Sequence, residues 1–402
     1  MSRHAEQFDQ WIRSRFVELN TTLEQLYFAQ DARTATHLAD PSLREALRDE
    51  GAEYVSALLA EGNTDEGFEA AFDLLGNVGL YMGACHRHGL DENEPALATA
   101  AGLAMHIGAS LGLAPRFATS HLATHNLAVH GTYKRFTSLA DEALFLEHNT
   151  RGILAYKRAA EALVQILPLG VSHPVARDLL TVAGDALTDV ARTNQALFDD
   201  LDADAFFYSV RPYYKPYRVG RTVYRGANAG DFAGINEIDL LTGLCEASHP
   251  MYSQLLVDKF LFMLPTDQQR LRECMRQRSL LDRFLDELAV SSAPPLLDNA
   301  RCFLHVCRAH GHTAKQHHDW LVERFISQPS AALDMQDLAT VTASGPPLPV
   351  LLRGLETLRD MRLAAPRDDI PSRHAALARL ARRVGESTDT AGKKVHSAGA
   401  GS

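Results

Sequence analysis

The chain reads as an all-α protein, and three observations predict it. Apolar residues recur at spacings of three and four over most of the 402 residues, the signature of amphipathic helices. Strand-like alternation of apolar and polar residues is nearly absent. Neither a Walker loop nor a Gly-x-Gly-x-x-Gly run after a strand occurs, so P-loop and Rossmann architectures have no support; Gly-Ala-Asn-Ala-Gly at 226–230 lacks the lysine and the strand a phosphate loop needs.

Taken in order, helical periods run through 5–28, 42–60, 66–87, 95–111, 116–130, 139–167, 172–201, 250–263, 266–289, 296–325 and 347–362. In 172–201, Val175, Leu179, Val182, Leu187, Val190 and Leu197 trace one stripe behind the start signal of Ser172 and Pro174. Three stretches break the pattern. Residues 202–234 are rich in aromatics, glycine and proline, which predicts a buried, structured loop. Residues 338–349 (LATVTASGPPLP) form a second, small-residue loop, and 385–402 reads as a disordered tail. No composition shift marks a boundary. The expectation is one all-α domain over 1–384, with an N-terminal helical part at 1–65 and the core at 66–384.

The composition sets limits on function. Forty Lys and Arg against fifty Asp and Glu give a net charge of −10, which argues against a nucleic-acid binder. Hydrophobic residues are 46% and charged residues 22%, ordinary for a soluble globular protein. There is no apolar run long enough for a membrane span, and the polar N-terminus is not a secretory signal. Five scattered cysteines, an odd number, argue against a disulfide scaffold and for a reducing cytoplasm.

Histidine carries the chemical interest, with 18 in the chain. The densest cluster is RCFLHVCRAHGHTAKQHHDW at 301–320. At 100° per residue, Phe303, Val306, Cys307, His310, Ala314, His317 and Leu321 share one face, and His305, Arg308, His312, Lys315 and Asp319 the opposite one. A neutral imidazole on a buried helix face suits an axial haem ligand, although a core histidine bonded to a backbone carbonyl is the commoner use of such a position. The stretch DAFFYSVR at 204–211 ends in Arg211 after three aromatics. A guanidinium there can grip a carboxylate while the rings hold an aromatic body; an arginine that merely fastens the loop is the plainer alternative. His121 and His125, four apart, are expected to share a helix face, where they could ligate a metal or line a pocket; no third partner is evident, which leaves a zinc hydrolase poorly supported.

The stretches AFFYSVRPYY, RVGRTVYRGANAGDFAGINEIDLLTG and FMLPTDQQRLRECM, in that order, together with LLGNVGLYMGACHRHG at 74–89, LGLAPRFATSHLATHN at 111–126 and FTSLADEALFLE at 136–147, resemble the indoleamine and tryptophan 2,3-dioxygenase-like haem superfamily, and within it the monodechloroaminopyrrolnitrin synthase (PrnB-like) family. The resemblance covers roughly 70 to 360. It implies a multi-helix bundle around a b-type haem held by one proximal histidine, with O₂ as co-substrate. It also implies a tryptophan-like indole substrate and a place in antibiotic-type secondary metabolism. The family's Arg-x-x-His is imperfect here, because Gly311 stands at the histidine's spacing from Arg308. Either His310 or His312 is then the ligand, with His310 preferred and Arg308 a candidate partner for a haem propionate. Phe206 and Arg211 fall on the family's aromatic wall and substrate-carboxylate arginine. Asn228, Ala229 and Gly230 fall on the segment that crosses the substrate face of the haem. Ser344, in Thr342–Gly345, falls on the loop that closes over the substrate amine. His121 or His125 would supply a distal base. The expected partners are a small indole and, in a homodimer, a second copy, with no nucleic acid and no membrane. The alternatives to an oxygenase are a helical haem carrier or sensor and a cofactor-free interaction protein.

Overall fold

The computed structural model of the chain describes residues 2–386 apart from 31–32, 34–35, 37–39, 63–66, 91–93, 228–230, 332 and 334–347. The fold is all-α with one minor hairpin, Tyr217–Val219 paired antiparallel with Thr222–Tyr224. Among the described residues no helix is long and apolar enough to cross a membrane.

Most of the helices start and stop where the sequence punctuates them. Asp40 accepts from Ser42 N ahead of Pro41–Glu61, which stops at the left-handed Gly62. Pro95–Leu111 begins with proline and stops at the left-handed Gly112. Phe68–Arg87, Ala140–Leu169, Pro174–Asp200 and Leu348–Arg362 match their periods within a few residues. In 5–28 the helix breaks at Ser14, whose hydroxyl donates to Gln10 O, leaving Arg3–Arg13 and Arg15–Phe28. In 266–289 it breaks at 277–279, and Ser279 caps a new helix, Leu280–Val290, after Pro265–Arg276.

Three expectations are corrected. Of 116–130, only Thr119–Leu122 is helical. The fully buried Arg116 there donates to the carbonyls of Lys215 (3.2 Å) and Arg225 (2.7 Å), so the segment serves the hairpin instead of continuing as a helix. The inner face of Pro174–Asp200 is Ala176, Leu180, Ala183, Leu187, Val190 and Leu197, while Val175 and Val182 are exposed. Small residues win that face because the helix lies close against both Ala140–Leu169 and the long helix Pro294–Gln316. Two helices also appear where no period marks them. Ala233–Thr242 is buried at every position except Ile235, so it has no polar face to reveal it. His374–Arg383 is short and buries only Leu380 and Ala381.

The apolar interior forms two large clusters. The first gathers the helices from Arg3 to Leu111 with the 197–227 segment, Leu321 and Phe325. The second gathers 155–190 with most of the chain from Ala233 onward. Segments that reach both regions include the helix pair 140–200, the 263–271 stretch, and the continuation of Pro294–Gln316 into the wide, π-type turns of His317–Ser327. The described part of 202–234 is structured as expected, with Phe206, Phe207, Tyr213, Tyr214 and Tyr217 inside and the hairpin turn at 220–223 exposed.

Candidate functional site

The aromatic loop meets the long histidine helix where these clusters join. Phe206 packs 4.9 Å from Phe145 and 5.9 Å from Phe325, ring centre to ring centre. Phe206–Val210 forms a wide turn in which Arg211 N donates to Phe206 O, five residues back, and Arg211–Tyr214 then tightens into a 3₁₀ turn. Such a change of winding re-aims the side chain that follows and recurs at functional sites. Arg211 is 4% exposed, lies 5.5 Å over the Phe207 ring, and burial lowers its pKa to about 10. Lys215, just beyond, is half-buried, and its pKa is pushed down to about 7 by burial, with Arg87 and Arg211 adding to the effect. An anion entering here would be favoured by both cations.

His310 is 0% exposed and its Nε2 donates to Asp239 Oδ1 at 2.7 Å. Asp239 also accepts from Arg362 Nε at 2.8 Å, Arg362 Nη2 at 2.7 Å and Tyr252 OH at 2.8 Å. Four helices are thereby pinned on one buried carboxylate. Burial holds His310 neutral against the pull of Asp239, while Arg362 and His310 overcome burial to keep Asp239 ionised. Nε2 is therefore committed to Asp239, while the buried Nδ1 has no hydrogen-bond partner among the described residues. His312 lies on the exposed outer face, and Arg308 shares that face, paired with Glu386 at 2.5 Å. Gly311 stands where Leu348–Arg362 crosses: a Cβ there would come 2.9 Å from Arg362 O. Helix crossing, and not ligation, fixes that position.

A second histidine, His317, stands seven residues further along the same chain segment. His317, where the winding widens, is exposed. Its pKa is nevertheless lowered to about 4, by burial first and then by Arg362, His318 and Lys259. Lys259 is buried, its pKa brought to about 7 by burial and then by Arg225. Arg362 and Lys259 both act electrostatically on this imidazole, with Arg362 itself paired to Asp239. His318 points instead to Asp319 and Arg359, with Nδ1 at 3.1 and 3.2 Å. The wheel put His317 on the apolar face with His310; the structure leaves it exposed, because the winding widens at His317.

On the other side, His121 and His125 do not share a helix face, because the helix ends at Leu122. His121 Nδ1 accepts from Ala118 N at 2.9 Å and Nε2 donates to Phe72 O at 2.9 Å, with its ring stacked 3.9 Å from Phe72. Both nitrogens are spent on structure, and burial lowers its pKa to about 3. His125 is half-buried, with Nδ1 2.9 Å from Thr124 Oγ1, beside a cavity lined by Ser120, Thr124, Ile153, Lys157 and Phe232. Asn228, Ala229, Gly230 and Ser344 lie outside the described residues. Tyr156, whose OH donates to Thr313 at 3.0 Å and whose ring stands edge-on to His310, joins the cavity helix to the histidine helix and carried no sequence signal. Compared with known protein families, residues 2–384 match the family described as monodechloroaminopyrrolnitrin synthase PrnB.

Proposed function

The chain belongs to the monodechloroaminopyrrolnitrin synthase PrnB family of enzymes, and from that premise we propose that it is a haem-dependent oxidoreductase acting on tryptophan or a tryptophan-derived indole. The observation that carries the substrate class is Arg211, a buried guanidinium set beside Phe206 and Phe207 by the wide turn. Arg211 takes the substrate carboxylate, and Phe206, backed by Phe145 and Phe325, bears on the ring.

His317 is the residue that would hold the haem iron, and Lys259, buried nearby, would receive a propionate. The bound haem supplies O₂ activation and the redox chemistry. The chain's own work is to bind, orient and exclude water. Two fixed contacts on one amino acid, at its carboxylate and its ring, set which indole carbon faces the cofactor. On the substrate side His125 is the histidine able to hold or pass a proton, since His121 has no free nitrogen. The roles that the family resemblance gives the 228–230 and 342–345 segments stay part of this proposal.

The test is an absorption spectrum of the purified protein, ferric and then reduced under CO. The expected result is a Soret band that is lost in His317→Ala, returns with added imidazole, and persists in His312→Ala. A band indifferent to His317→Ala but lost in His312→Ala overturns the ligand assignment. A protein that stays colourless with added hemin overturns the haem reading.

A further inference from the structure

Beneath the Arg211 turn lies a buried ion pair that the reaction does not touch. Arg87, the last residue of Phe68–Arg87, is 4% exposed, and Glu24, on Arg15–Phe28, is 0% exposed. Arg87 Nε and Nη2 donate to the two Glu24 carboxylate oxygens at 2.7 and 2.8 Å. Nη2 has a second partner, the carbonyl of Tyr208 at 2.8 Å. Tyr208 is the middle residue of the wide turn Phe206–Val210. A buried charge pair is seldom kept for stability alone, because desolvation offsets most of its Coulomb gain. Here the pair has a geometric consequence: it holds one carbonyl of the turn whose winding aims Arg211.

The surroundings strengthen that constraint. Tyr213, two residues past Arg211, directs its hydroxyl to Asn20 Oδ1 at 3.3 Å. Asn20 Oδ1 also lies 2.7 Å from His88 Nε2, and His88 Nδ1 is 2.9 Å from Tyr27 OH. The aromatic loop is therefore gripped on both sides of Arg211 by the ends of two helices from the first cluster. Those helices carry none of the groups assigned to substrate or haem.

We propose that the Glu24–Arg87 pair is a positioning device for Arg211, setting through the Tyr208 carbonyl how the guanidinium meets the substrate carboxylate. The proposal rests on the reading of Arg211 as the carboxylate-binding residue. Lysine at 87 keeps the charge against Glu24 but lacks the fork that serves Glu24 and Tyr208 O together. The turn then relaxes and Arg211 loses its alignment, while the aromatic wall keeps its own packing.

The experiment measures binding of L-tryptophan and of tryptamine, which lacks the carboxylate, to the holoprotein by isothermal titration calorimetry. The wild type prefers tryptophan. In Arg87→Lys the tryptophan Kd rises on the order of tenfold, tryptamine binding is unchanged, and the preference shrinks. A purely structural role would weaken both ligands alike. A second variant, Glu24→Met/Arg87→Met, removes both buried charges so that neither is left unpaired; it too loses the preference. A wild type that prefers tryptophan, with variants that keep the full preference, overturns this proposal and leaves Arg211 its role. A wild type indifferent to the carboxylate overturns the Arg211 reading, and this proposal falls with it.

Discussion

Asp239 is the most consequential single side chain in the described interior, and Asp239→Asn tests why. Its carboxylate accepts from His310, twice from Arg362 and from Tyr252, at 2.7 to 2.8 Å, with no exposure to solvent. The amide keeps the shape but replaces one acceptor oxygen with a donor and removes the charge opposite Arg362. Breaking one side of such a buried pair costs about 3–5 kcal/mol, because the remaining charge is left uncompensated. An unfolding entropy of about 2.1 cal/mol/K per residue, over a chain of 402 residues, places that loss at a fall in Tm of about 4–6 °C. Scanning calorimetry at pH 7 measures it. Asp239→Asn/Arg362→Met, which removes the stranded cation as well, should recover much of the loss. The pH dependence follows from the same contacts. The folded pKa of Asp239 is held below the ordinary 3.8. Its stabilisation is thus fully present above the unfolded value and fades only as the pH falls through the lower folded one. A single variant within about 1 °C of the wild type, or a double variant less stable than the single, would refute the reasoning.

Three other outcomes are expected. Arg211→Leu should weaken tryptophan binding by about 2–4 kcal/mol while sparing tryptamine; equal affinity of wild type and variant for tryptophan would sink the carboxylate assignment. Gly79→Ala should destabilise by roughly 2–3 kcal/mol in urea denaturation, since a Cβ there would lie 2.1 Å from Phe117 N and backbone cannot swing aside; a change under 0.5 kcal/mol contradicts that close approach. His121, neutral in the fold with a pKa of about 3 against an ordinary 6.5, favours the unfolded state increasingly as the pH drops below 6.5. It should cost about 1.4 kcal/mol per unit until the folded value is reached. Asn at 121 can still accept from Ala118 N, so between pH 6.5 and 5 the wild type should lose about 2 kcal/mol more than His121→Asn; parallel profiles would show that His121 takes up its proton in the fold.

The sequence was most legible where one physical rule acted alone. Helices with a wet face and a dry face announced themselves, as in Pro41–Glu61 and Pro95–Leu111. The wheel of 301–321 correctly separated His310 from His305 and His312. Ala233–Thr242 stayed hidden because burial on nearly all sides erases periodicity, and that helix carries Asp239. At 116–130 local periodicity lost to a long-range demand, the anchoring of Arg116 on the hairpin carbonyls.

What the residues determined by themselves is the all-α class, the burial of the aromatic loop, and the placing of an arginine and its rings on one short turn, since these depend on composition and spacing along the chain. Which imidazole is free and which is locked was decided only by the packed structure. The wheel put His310 and His317 on one face, yet Asp239, held by Arg362 from a distant part of the sequence, engages the first, while the second is exposed. Hydrogen-bond partners across helices are set by packing, and no local pattern encodes them.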